Sequence, residues 1–172
     1  MDTKQTQAFK NAPDLRLLVL HAGGRLFGVD MAAVAHTGDE TCDFAAPQPT
    51  PIPGAPPPVR GVVHIRGRLY TVIDPALMFA TNEDTATQVT TDRAATSLRV
   101  VPLRGKEQLA IAIKRIEEII SICAANIESL TEETHAAKGI VRGNDGQDIL
   151  VLDTSKLFTA ATQGMERRRR RS

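Results

Sequence analysis

The sequence predicts a mainly β fold: two small five-stranded β-barrel lobes packed side by side, joined by short connecting helices. Three observations carry this expectation. Apolar residues make up 42% of the chain but aromatics only 3%, with no Trp and one Tyr, so the core must be built from Val, Ile, Leu and Ala, a composition that favours pleated sheet. Short apolar runs alternate with glycine-bearing turn signals at the spacing of small barrels, which close a sheet and remove its adhesive edges. The third observation is an internal repeat. Leu15-Arg16-Leu17-Leu18-Val19-Leu20, a turn, and Leu26 to Val34 return as Leu98-Arg99-Val100-Val101-Pro102-Leu103, a turn at Gly105-Lys106, and Leu109 to Ile116. Gly61-Val62-Val63, a turn at Gly67, Val72-Ile73-Asp74 and a helix ending near Phe79 return as Gly139-Ile140-Val141, a turn at Asp145-Gly146, Val151-Leu152-Asp153 and a helix ending near Phe158. Two spaced matches in the same order imply a duplicated lobe and a seam between the copies.

Taken in order, residues 1–14 are polar and read as a flexible arm that ends at Pro13-Asp14. One domain is expected over 15–160, with one lobe at about 15–80 and the other at about 97–160, and the pattern leaves open an exchange of strands between them. Leu15 to Leu20 and Leu26 to Val29 flank the hairpin signal Gly23-Gly24, and Asp30 can cap a helical turn over Met31 to Val34. Pro47 to Pro58 is too rich in proline for a central strand or a helix interior. It holds a formal P-x-x-P at Pro53 to Pro56, but Ile52 and Val59 flank it as core residues would, which favours an ordered crossover over an SH3 ligand. Pro53 to Asp74 then gives a proline-set turn, an apolar strand, a hairpin at Gly67 with Arg66 before it, a second strand and a helix start. Thr81 to Thr96 lacks apolar periodicity and is expected as an exposed loop between the lobes, and 161–172 as a basic tail.

The net charge of +1 conceals an asymmetry. Five of the 21 basic residues form the run Arg167 to Arg171, so the rest carries 16 basic against 20 acidic residues, a net of −4. Such a tip could touch anionic lipid or RNA, and a nucleic-acid or membrane-surface protein acting through it is the alternative function. The body shows no basic stripe interleaved with aromatics, which argues against nucleic acid. The first residues lack a signal-peptide core and no apolar run is long enough to span a bilayer, so a cytoplasmic location is expected. Cys42 and Cys123 have no ligand-spaced Cys or His neighbours and are expected as reduced structural thiols.

Nothing in the chain points to catalysis, a metal or a cofactor. His21, His36, His64 and His135 are scattered without the spacing that aims two imidazoles at one ion. There is no nucleophile elbow, phosphate-binding loop or dinucleotide fingerprint. Asp74 and Asp153 invite a paired-carboxylate interpretation, yet each ends an apolar strand before a helix, and Pro75 occupies the first helical position, so capping is expected. With Gly61 and Gly67 they form the structural caps and turns. Arg66 leaves two accounts open: a guanidinium held at the sheet rim for a carboxylate or carbonyls, or a solvated hairpin arginine.

Pro53-Gly54-Ala55-Pro56, Gly61-Val62-Val63-His64-Ile65-Arg66-Gly67, Val72-Ile73-Asp74 and the duplication together resemble CheW-type chemotaxis coupling proteins, from about Leu15 to Phe158. The resemblance implies SH3-like barrels in a non-enzymatic scaffold. It would join the signalling tip of chemoreceptors to the regulatory domain of a CheA-type histidine kinase, in chemotaxis or related motility signalling. It needs no cofactor or small-molecule substrate, and meets the membrane only through receptor arrays at its inner face. Carried over by position, the receptor-binding groove comprises Val34, His36, Arg66, Leu98, Ile116 and Ile119. The chain departs from the family pattern at His36, Lys114, His64 and Pro75, where an acid, aspartate, asparagine and leucine are usual, and this implies a divergent set of receptors or kinase.

Overall fold

The computed structural model describes residues 14–35, 44–80, 97–130 and 136–169. Ten strands dominate: β1 (Asp14–Ala22), β2 (Arg25–Asp30), β3 (Phe44–Pro47), β4 (Val59–Ile65), β5 (Arg68–Ile73), β6 (Ser97–Pro102), β7 (Leu109–Ile113), β8 (Arg115–Cys123), β9 (Ala137–Arg142) and β10 (Asp148–Leu152). Helices are few: α1 (Pro75–Met78), α2 (Leu157–Arg169), and the 3₁₀ turns Met31–Ala33 and Ala124–Asn126. Asp30 caps the first of these turns, its carboxylate accepting the Ala32 N–H at 2.9 Å.

The strands form two five-stranded sheets in corresponding order, β8-β1-β2-β10-β9 and β3-β6-β7-β5-β4. In each, two antiparallel hairpins meet along one parallel pair, β2 with β10 and β5 with β7. Each sheet is then drawn toward closure by a two-bond bridge, Glu128 with Ile140 in the first and Thr50 with Val62 in the second. The repeat in the sequence is therefore a repeat of topology, but its halves do not map onto separate sheets. The first sheet combines β1 and β2 with β8, β9 and β10, whereas the second runs continuously from β3 to β7.

Burial explains why the strongest strands lack polar alternation. Along β1, Leu17 and Val19 face the interior of the first sheet, while Leu18 and Leu20 face the opposite way into a central cluster. Along β7, Ala110 and Ala112 fill the second sheet, and Leu109, Ile111 and Ile113 join the same central cluster. β10 divides likewise between Ile149 and Val151 on one side and Leu150 and Leu152 on the other. A strand buried on both faces must be apolar throughout. The central cluster also takes Phe27, Val29, Val34, Val101, Leu103, Leu157 and Ala161, so it is the seam between the sheets and the largest part of the core.

Two expectations change. The second-lobe helix does not end near Phe158: Asp153 is followed by a turn, and α2 begins at Leu157 and runs to Arg169. The Asp153 carboxylate holds that turn by accepting from Ser155 N–H (3.2 Å) and Oγ (2.6 Å), a local bond that delays the helix. Ala161, assigned by sequence to the tail, is buried in the seam. The arm before Asp14 and the loop 81–96 lie outside the described residues.

Candidate functional site

The β4–β5 hairpin is set by its turn. Ile65 pairs with Arg68, leaving Arg66 and Gly67 as a two-residue loop with φ of 46° and 81°. Positive φ at both loop positions is the turn whose twist suits paired strands, and it favours Asn or Gly at the first. Among the described residues Arg66 is the one non-glycine with positive φ. A side chain there costs about 1 kcal/mol against the carbonyl that follows it. Strain of this kind collects at functional sites, where a partner and not the fold selects the residue.

The other end of the hairpin is anchored by an ion pair that sequence inspection missed. Asp74 is buried, and its Oδ1 accepts the N–H groups of Ala76 (2.9 Å) and Leu77 (3.4 Å), capping α1. Its Oδ2 receives Arg60 Nε at 2.7 Å and the terminal nitrogen at 2.5 Å. A buried carboxylate needs such partners. The signal was present in sequence as an arginine beside Gly61 and an acid at the far end of the same hairpin. Asp153, the equivalent acid, is less buried, and beside its bonds from Ser155 it has Lys156 at 3.7 Å in place of a buried arginine.

Gly61 has a steric reason in the same place. The Thr50 carbonyl lies where a Cβ at residue 61 would stand, and Glu128 presses on Gly139 in the same way. Both glycines thus sit where a sheet is bridged shut.

The groove residues carried over from the family fall into different environments. Val34 is 0% exposed, bridged to Leu103 and packed in the seam, so its side chain is core and offers no surface. Ile116, at the corresponding place after β7, packs partly buried against the same cluster. Ile119 on β8 is 46% exposed. Leu98 packs half-buried against the interior cluster of the second sheet, and Arg66 stands at that sheet's hairpin. His36 lies outside the described residues, as do His135 and Cys42. The structure therefore unites Val34 and Ile116 at the seam and leaves Leu98 in a separate cluster.

Sequence inspection also passed over Arg68 and Leu69, both exposed on β5, Leu69 at 54%. Period-two alternation could have found Leu69, since it lies cross-strand from exposed His64 while neighbouring Tyr70 is buried. Among the described residues there is no group of three or more His, Cys, Asp or Glu placed to hold a metal ion. His21 keeps a buried Nδ1 without a hydrogen-bond partner, and Cys123 is a half-buried free thiol. No described helix is long and apolar enough to cross a membrane.

The family model of the CheW-like domain matches residues 16–162. The chain belongs to the CheW-like domain family. A solved relative in fold is the crystal structure of scaffolding protein TtCheW from Thermoanaerobacter tengcongensis. It is similar with a TM-score of 0.64 and 20% sequence identity, over 85% of this chain and 93% of that one. No match was found among curated protein sequences. This CheW-like chain thus shares the fold of that solved protein over most of its length.

Proposed function

We propose that this CheW-like chain couples the signalling tips of chemoreceptors to the regulatory domain of a CheA-type histidine kinase, at the inner face of the membrane that holds the receptors. The observation that carries the proposal is the Arg66-Gly67 hairpin, an arginine kept in a costly backbone conformation within a domain matched over residues 16–162. A two-sheet scaffold can offer a separate face to each partner, with hydrophobic contact supplying affinity and a fixed guanidinium setting register. The receptor would lie along the seam, touching Ile116, Ile119 and Arg66, with Leu98 at its margin. Val34 would support this surface from beneath.

Co-sedimentation with receptor signalling domains and kinase tests the proposal. Incorporation of the wild-type chain and weaker incorporation of Arg66→Ala at unchanged melting temperature are expected. Failure of the wild-type chain to join any cognate receptor set would overturn it.

A further inference from the structure

The segment from Phe44 to Ile73 contains no Asp or Glu and three arginines, although the body without its terminal arginine run is net acidic. Arg60 is committed to Asp74. Arg66 and Arg68 flank Gly67, and the turn before neighbouring β7 carries Arg104 and Lys106 against Glu107, a net of +1. Arg68 is exposed, and no ion pair holds it among the described residues. Its cross-strand partner Ile65 faces the interior of the second sheet. Directly opposed residues share a face, so Arg68 starts from that side, where a long aliphatic stem can cover the end of the sheet and leave the guanidinium in water. The equivalent hairpin between β9 and β10 has a longer turn, from Gly143 to Gln147, with Asn144 and Asp145 in it. The cationic hairpin is thus a property of one lobe only.

From this we infer that Arg68 acts with Arg66 as an acid-recognising pair, so that the segment received at the β4–β5 hairpin carries a carboxylate, and Arg68 determines which receptors are accepted. The inference rests on the adaptor function proposed above. Two guanidiniums separated by one glycine can share a carboxylate, each with planar paired donors. A local cationic spot also offsets the repulsion that an acidic body exerts on an acidic partner, which makes association depend on salt.

The test titrates the full chain against cytoplasmic fragments of the chemoreceptors encoded in the same genome, from low to physiological salt. Wild type is expected to bind more weakly as salt rises. Arg68→Glu is expected to lose about tenfold in affinity, and Arg68→Gln a smaller factor, both with unchanged melting temperature. Replacing one receptor-tip Glu by Lys is expected to restore binding to Arg68→Glu. If wild type binds and Arg68→Glu matches it in affinity and salt dependence, the acid-recognising role of Arg68 falls and the adaptor function stands. If wild type binds no fragment, the adaptor function itself falls and takes the inference with it.

Discussion

Gly61 and Gly139 hold equivalent places where a carbonyl from the bridging chain presses against the strand. Alanine at Gly61 would have to displace backbone, since Thr50 O and C are the nearest atoms, and φ of 135° adds strain. Gly61→Ala is expected to cost roughly 2–3 kcal/mol, whereas Gly67→Ala, with open space around it, should cost about 1 kcal/mol through φ alone; urea melts of the pair distinguish the two. At Arg60 the reasoning is electrostatic. Removing its side chain strands a buried carboxylate, a loss of 3–5 kcal/mol in fully buried pairs. The Arg60 side chain is 24% exposed, so water can reach the site, and Arg60→Ala is expected to cost roughly 2–3 kcal/mol. Part of this was legible in sequence. Asp74 could be assigned as a cap from Pro75 behind it, but nothing local shows that the same carboxylate also meets Arg60 across the hairpin.

Among the elements, α2 departs furthest from the repeat. Its first turns seal the seam with Leu157 and Ala161, both 1% exposed, while Phe158 on another side is 38% exposed. Leu157→Ala should therefore cost about 2–4 kcal/mol, as large-to-small changes in a closed core do, and Phe158→Ala much less; thermal melts compare them. The hairpins were predictable because Gly23-Gly24, Arg66-Gly67 and Asp145-Gly146 each fall between apolar runs. The length of α2 was not, because the repeat suggested a short helix and the Asp153–Ser155 turn that postpones its start is a matter of side-chain geometry. Val34, carried over from the family by position, is buried, bridged to Leu103 and packed in the seam, and its local sequence does not show this.

For the whole molecule, the two sheets share strands from both halves of the repeat. A cut within 81–96 would leave β1 to β5 on one fragment and β6 to β10 on the other, and neither would contain a complete sheet. A chain carrying an engineered protease site in that segment is expected to remain one particle on gel filtration after cleavage and to unfold in one transition. Separation of the fragments without denaturant would contradict the shared-sheet topology. The duplication was readable from residue patterns, but which strand completes which sheet depends on pairing at a distance and has no local mark.

β7 ends in the second sheet at Ile113, β8 begins in the first at Arg115, and Lys114 alone lies between, its N–H donating to His21 O at 2.8 Å. A connection of one hydrogen-bonded residue has no slack. The two sheets resemble gears cut on one shaft: a torque applied at either reaches the other without backlash. A twist imposed on β7 would thus pass to β8 through that single residue.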